Sequence, residues 1–445
     1  MSKVLVKNIG LLQTPVGSYS HKGEEQGRNI KVRNASILIE DGVIKEIKGE
    51  GEVPTQATAR GAAPDDVAPE EDLTGFSLRV IDAKGGLVTP GLVDGHTHMV
   101  FGGYRQNEIP MKLKGASYLD ILRAGGGILD TVRHTREASE DELVKKTKGF
   151  LREMASLGVT TCEAKSGYGL DPETEYKMLR VIQRVAKEAD QDVVPTFLGP
   201  HAVPPEYREV EPGEEETPEQ HKRSADKFID MVCEEMLPYV KEHGLAKYAD
   251  VFTEDSVFDY DQSRKYLEKA KELGFGLKVH ADEIAAIGGS KLAGELGAVS
   301  AEHLISINEE GLEAMAKGGT TAMCLPATSF YLEAGYAPAR RMVEMGIPVA
   351  CATDFNPGSC PSLNLQFVIN LACLKYKLMP EEVLTAVTIN PACAIGMGDK
   401  VGTIEPGKQA DLCVWDAPDF EMLCYRFGSN PVRTVIKNGN VIYKK

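Results

Sequence analysis

Apolar and polar residues alternate through residues 4–14, "VLVKNIGLLQT", and again through 35–49, "ASILIEDGVIKEIKG", where Asp41-Gly42 breaks the alternation. Period two on either side of a D-G pair predicts antiparallel strands joined by a tight turn. The far end of the chain has the same texture in "QADLCVWDAP" and in "VRTVIKNGNVIYKK", with an N-G pair at its centre. Residues 52–75, rich in alanine, proline and acid, read instead as a surface loop. Two β-rich ends around a long middle predict one small composite β domain, formed by both termini from residues 1–88 and 401–445.

The middle, residues 89–400, has another rhythm. Eight short apolar runs recur in order: "LVDGHTH", "VTTCEAKS", "VVPTFLGPH", "DVFTED", "GLKVHADE", "AVSAEHL", "TTAMCLP" and "VACATDF". Between them lie stretches such as "EDELVKKTKGFLREMASLG" and "YDQSRKYLEKAKELG", whose apolar spacing of three and four predicts amphipathic helices ending at glycine. Eight strand–helix units in order predict an α/β fold, a parallel (β/α)8 TIM-like barrel.

These runs finish on chemically competent residues: His98, Lys165, His201, Glu254, His280 with Glu283, His303 and Asp354. Five of the nine histidines (96, 98, 201, 280 and 303) lie at run ends, while His21, His134, His221 and His243 do not. The C-terminal ends of barrel strands are where such folds build active sites. In "GLVDGHTHMVFGG", His96 and His98 stand two apart and so share one face of an extended chain, and Gly102–Gly103 allows a tight turn afterwards. His280 closes the fifth run and Asp354 the eighth. Imidazole and carboxylate donors of this kind suit one divalent metal ion, Zn²⁺ or Fe²⁺, with a position left for water. Such an ion brings the pKa of bound water from ~15.7 toward about 7. A lone histidine is more often a hydrogen-bonded core residue, but H-x-H with two further donors at strand ends is not a lone histidine.

Glu283, three positions after His280, is a candidate proton acceptor that could later return the proton to a leaving nitrogen. Its bland alternative is a helix N-terminal glutamate stabilised by the dipole. His303 could orient water or polarise a carbonyl, or equally could hold Asp354 or a ligand in place. Lysine bridges two metals in some barrel sites, yet Lys165 closes the second run and Glu254 the fourth. The reading is therefore one metal, with Lys165 structural or electrostatic and Glu254 a weaker candidate ligand.

Composition narrows the function classes. A chain of 445 residues suits a large barrel with a smaller attached domain. The formal charge of −16 argues against nucleic acid, whose phosphates need a basic footprint. Nine cysteines without a C-x-x-C pair, mostly in apolar surroundings, read as reduced buried thiols. No signal sequence or membrane-length apolar run is seen, so the expected partner is a small molecule rather than a membrane, and the expected compartment the cytoplasm.

"PGLVDGHTH", "VHADE", "SAEHL" and "ATDFNPGS" resemble the amidohydrolase superfamily, whose metal-dependent barrels carry a composite β domain. Within it, "KSGYGLDPETEYKMLRVI", "FLGPHAVPPEY" and "ATDFNPGSCPSLNLQFVINLACLKYKLMPEEVLTAVTINPACAIG" are similar to the imidazolonepropionase family, from about residue 90 to 407. The superfamily motifs are broad, whereas "KSGYGLD" with "GPHAVPPEY" and "DFNPGS" is much more specific. That family opens the cyclic amide of 4-imidazolone-5-propanoate to N-formimidoyl-L-glutamate in histidine degradation. The resemblance implies metal binding at His96, His98, His280 and Asp354. It implies substrate contacts at Arg105, Tyr118, Tyr168, His201 and Glu283, with Asn356, Gly358 and Ser359 near the product end, and a homodimer. Chemistry makes sense of these types: Arg105 could grip a propanoate with a forked pair of hydrogen bonds, and the tyrosines could donate hydroxyls while packing on a flat ring. Core packing is the bland alternative for both tyrosines. Catalysis would involve Glu283, His303 and Asp354, with one carboxylate taking the water's proton and one returning it to the ring nitrogen. Departures from the family pattern are the acidic stretch at 206–220, the long loop before Val80, and Thr253 where a cysteine is expected.

Two competing readings stand beside this one. A deaminase of a nucleobase-like ring would use the same donors but would leave Arg105 without an obvious task. A non-catalytic scaffold on this barrel would tend to lack metal ligands, and here all four are present.

Overall fold

The computed structural model describes residues 2–55, 78–115, 126–210, 214 and 216–445. Tyr118, most of the Ala/Pro loop, and residues 211–213 and 215 of the acidic stretch lie outside the described residues.

All eight runs become strands of one parallel sheet: β6 (Leu92–Asp94), β7 (Val159–Lys165), β8 (Asp192–Phe197), β9 (Tyr248–Thr253), β10 (Gly276–Ala281), β11 (Ser300–His303), β12 (Thr321–Cys324) and β13 (Val349–Cys351). Each pairs with its sequence neighbour in unbroken order. The ring closes just past the first and last strands. There the Asp354 N–H donates to His96 O at 3.0 Å and the His98 N–H to Phe355 O at 2.9 Å. Below them, the Asp94 carboxylate accepts from the Thr353 N–H at 3.0 Å and its hydroxyl at 2.6 Å.

Helices cover the ring because their apolar faces have nowhere else to go. The helix Glu140–Ser156 opens with a capping box in which Ser139 and Glu142 satisfy each other's backbone N–H groups. It turns Leu143, Phe150, Leu151 and Met154 inward. Tyr260–Glu272 repeats the device with Asp259 and Gln262.

The second sheet draws strands from both ends of the chain. Its order is β16 (Asn440–Lys444), β15 (Val432–Lys437), β14 (Leu412–Trp415), β5 (Leu87–Pro90), β1 (Lys3–Thr14), β2 (Ile30–Glu40) and β3 (Val43–Glu50), with β4 (Leu78–Asp82) also paired to β1. The turns at Asp41-Gly42 and Asn438-Gly439 use positive φ throughout, as primed hairpin turns require. Trp415 bolts this sheet to the barrel. It is fully buried, its indole N–H donates to the Thr89 hydroxyl at 2.8 Å, and its ring edge lies over Gly158.

Candidate metal centre

His96 and His98 leave the end of β6 with their rings converging, as an extended H-x-H demands. Their Nε2 atoms stand 3.1 Å apart. His280, near the end of β10, brings its Nε2 to 3.4 Å from that of His98. Asp354 Oδ1 lies 3.4 Å from both His96 and His98 Nε2. His303 belongs to the same cluster, its donor nitrogen falling within 4.8 Å of donors on His96 and His280. Both His303 and Asp354 take left-handed backbone, at φ 68° and 55°. For side chains with a Cβ such a conformation costs about 1–3 kcal/mol and concentrates at functional sites.

The tautomers follow from what lies behind each ring. His96 Nδ1 donates to Glu302 Oε2 at 2.8 Å, and His280 Nδ1 donates to Asp250 at 3.1 Å. Their Nε2 atoms are therefore turned toward one another and toward a carboxylate oxygen. That arrangement is repulsive unless a cation, a proton on His96 or a metal ion, sits between the donors. Metal–nitrogen bonds of about 2.0–2.1 Å meeting at roughly 100–110° span separations of this size, so the residues fit a divalent ion. Thr328 fixes the second Asp354 oxygen, donating its hydroxyl at 2.7 Å.

The electrostatics agree. Burial opposes ionisation of Asp354, but His96 and His98 overcome it and hold the carboxyl well below its usual range. Burial and Lys165 oppose charge on His96, yet Asp354 and Glu302 outweigh them and raise it to about 9. Burial lowers both His98 and His280. The site thus attracts positive charge as a unit while two of its imidazoles stay neutral.

Around this cluster stand several of the residues expected at a substrate site. Glu283 Oε1 approaches His303 Nδ1 at 3.6 Å, and burial raises its carboxyl while His303 pulls the other way. The His201 ring stacks on His98 with centroids 5.2 Å apart. Its Nδ1 pairs with Gly167 O at 2.9 Å, and burial, followed by the competing His98 imidazole, lowers it to about 3. It is therefore a neutral ring whose Nε2 accepts. Tyr168 lies 5.9 Å from His98 and 5.4 Å from His201, and burial raises its hydroxyl, which stays protonated.

Arg105 sits on the turn that Gly103 makes at φ 60°. A Cβ on Gly102 would strike the His134 carbonyl, and one on Gly358 would strike the Arg105 guanidinium. Arg105 and Gly358 are thus neighbours. Asn356 and Ser359 shape that loop: the Asn356 side chain accepts the N–H groups of Gly358 and Ser359 at 2.9 and 2.7 Å and donates to Asp354 O at 2.7 Å. Its polar capacity is spent on the turn.

Lys165 and Glu254 are engaged by other partners. Lys165 is fully buried between Asp250 and Glu163, at 2.8 Å from each. The Glu254 carboxylate accepts the N–H groups of Ile284 and Ala285 at 2.8 and 3.0 Å, holding the segment after Glu283. Several contributors were not singled out from sequence: Glu302, Asp250 and Thr328 behind the candidate ligands, Glu108 beside Arg105, and Glu175 under the Tyr168 loop. A signal existed for some of them. "CEAK", "LKVH" and "SAEH" place charges inside strands buried on both faces, where apolar residues are the rule.

Residues 87–442 match the amidohydrolase family. Over 447 aligned residues the chain is 48% identical to an imidazolonepropionase of Alkaliphilus metalliredigens, covering 100% of this chain and 99% of that one. It is 50% identical over 373 residues to an imidazolonepropionase of Bacillus velezensis, covering 83% and 85%. Among solved structures, a guanine deaminase of E. coli superimposes with a TM-score of 0.67 at 14% identity, over the whole of both chains. That likeness is one of fold.

Proposed function

From the premise that this chain belongs to the amidohydrolase family, and within it to the imidazolonepropionases, we propose that it hydrolyses the cyclic amide of 4-imidazolone-5-propanoate to N-formimidoyl-L-glutamate. The observation that carries this reading is near-half identity along the whole chain to an enzyme of that name, together with a donor cluster and an arginine beside Gly358, on the turn that follows Asp354.

His96, His98, His280 and Asp354 would hold one divalent ion, Zn²⁺ or Fe²⁺; this ligand chemistry suits both. When bound, the ion supplies Lewis acidity and a water acidic enough to ionise near neutral pH. The chain's own residues do the rest. Arg105 takes the propanoate, and Tyr168 packs against the flat ring while donating its hydroxyl. His201 offers a neutral acceptor to a ring N–H. His303 polarises the ring carbonyl as water adds to it. Glu283, whose burial favours holding a proton, accepts one from the water and delivers it to the ring nitrogen as the C–N bond breaks. Asp354, kept ionised, serves as ligand and assists that first transfer. Tyr118 keeps the substrate-binding role that the family resemblance implies.

Cytoplasmic residence is part of the same proposal, supported by nine free thiols of which six are buried. Among the described residues no helix is long and apolar enough to cross a membrane. The homodimer is proposed too, supported by an aromatic patch of Phe330, Phe367 and Phe427 that exposes apolar surface; light scattering at micromolar concentration tests it.

The deciding experiment is turnover of 4-imidazolone-5-propanoate by purified protein, followed by loss of its ultraviolet absorbance, with and without a chelator. Turnover that chelation abolishes supports the proposal. A metal-loaded enzyme that leaves this substrate intact and releases ammonia from a nucleobase overturns it.

A further inference from the structure

Beneath the donor cluster, five acidic and basic side chains of the barrel interior are completely buried: Glu302, Lys278, Glu163, Lys165 and Asp250. They alternate in sign along one connected path. Glu302 lies 3.7 Å from Lys278, and Lys278 lies 3.2 Å from Glu163. Glu163 lies 2.8 Å from Lys165, and Lys165 lies 2.8 Å from Asp250. Both ends of the path finish on ligand imidazoles, Glu302 on His96 and Asp250 on His280.

Filling a barrel interior does not need ions. Apolar side chains of similar volume do so without the desolvation cost, so a buried ionic path calls for a further task. Two features indicate the task. The carboxylates at its ends set the tautomers that turn both Nε2 lone pairs inward. The charges also balance: three carboxylates against two ammonium groups leave one negative charge, and Asp354 makes two, the complement of a divalent cation.

We propose that Glu163 is a positioning residue of the metal centre, acting through the two lysines it shares. It reaches Lys165, Lys278 and the Thr196 hydroxyl rather than any ligand. From the middle of the path it holds each lysine at the distance that leaves Asp250 on His280 and Glu302 on His96. Without its charge, each lysine draws its remaining carboxylate away from the ligand it orients, and the layer under the site gains a positive charge that opposes the ion. This inference rests on His96, His98, His280 and Asp354 being the ligands.

The test is metal binding rather than turnover. Metal-free wild type, Glu163→Gln and Glu163→Asp are titrated with Zn²⁺ against a chromophoric chelator, and the cobalt(II) forms are compared by their ligand-field spectra. Circular dichroism and the melting temperature of each metal-free form report the fold. Glu163→Gln is expected to bind roughly 10–100-fold more weakly with an altered cobalt spectrum. Glu163→Asp keeps the charge on a shorter arm, so it folds and loses affinity several-fold. Wild-type affinity and spectrum in Glu163→Asp overturn the proposal, whether or not Glu163→Gln folds. Failure of the wild type itself to bind Zn²⁺ or cobalt(II) strikes the ligand assignment instead, so the two failures are distinguishable.

Discussion

Arg105 and Glu108 form a two-pronged ion pair, Nε donating to Oε1 at 2.7 Å and Nη2 to Oε2 at 3.0 Å. Glu108 is itself almost fully buried and accepts the Gly127 N–H at 2.7 Å, so the pair has an anchored end. The guanidinium is left with its Nη1 edge beside Gly358. An arginine held in this way meets a carboxylate at little further conformational cost.

Arg105→Ala should therefore raise KM for the propanoate substrate far more than it lowers kcat. Losing a forked, charge-assisted pair is worth about 3 kcal/mol, or roughly a hundred-fold in kcat/KM. Glu108→Gln should give a smaller loss of the same kind, and Gly358→Ala should mimic it by displacing the guanidinium. Steady-state kinetics checks all three; an Arg105→Ala enzyme with unchanged KM contradicts the carboxylate grip.

Metal removal separates two kinds of residue. Asp354→Asn should abolish stoichiometric metal and turnover together, because the ligand that carries the charge is gone. Chelation of wild type should lower its melting temperature, since a ligand bound only by the folded state stabilises by RT ln(1 + [L]/Kd). Metal analysis and scanning calorimetry on the same preparations read both effects.

Glu283→Gln should keep its metal and lose kcat by about 10²–10⁴-fold, the usual worth of a general acid–base. KM should move little. A variant that loses metal along with activity would make Glu283 a support for His303 rather than a proton carrier.

The loop that carries Tyr168 is pinned by Glu175, whose Oε1 accepts the N–H groups of Gly169 and Leu170 at 2.6 and 3.0 Å and whose carboxylate also accepts that of Gly167. Burial raises this carboxyl to about 7, against opposing hydrogen bonds. Its folded pKa lies above its unfolded value of about 4.3, so between the two the folded chain holds the extra proton. Its contribution to stability is full below that unfolded value and is lost as pH rises through about 7. The melting temperature of wild type should fall between pH 5 and 8 relative to Glu175→Gln, which cannot titrate. Parallel curves for the two proteins would show that Glu175 is not the group responsible.

The fold was legible because period-two and three-to-four spacings survive in a barrel whose strands follow one another in order, and each of the eight runs became a strand. That His96, His98, His280 and Asp354 would converge was legible for the same reason: a strand end fixes where His98 or Asp354 emerges. The residues behind them were harder to see. Glu302 reads as one more polar residue in "SAEH" until β11 is set beside β10 and its carboxylate meets His96 from a strand 206 positions away. Glu108 was missed because its partner lies three residues back on an irregular turn with no period to reveal it. For Asn356, expected near substrate, sequence did not reveal that its side chain also ties together its own loop.

The seam of the barrel has a consequence for how the protein is made. Asp94 and Thr353, joined there by two hydrogen bonds, are 259 residues apart, and the donors His96, His98 and Asp354 lie beside that join. A ribosome that has released the first seven strands has produced no complete ligand set. At ~5–20 residues per second, the nascent chain spends on the order of tens of seconds with two histidines exposed and their carboxylate partner unsynthesised. If His96, His98, His280 and Asp354 are the ligands, the full set exists only on a nearly finished chain, and the complete centre forms late in the assembly of the barrel.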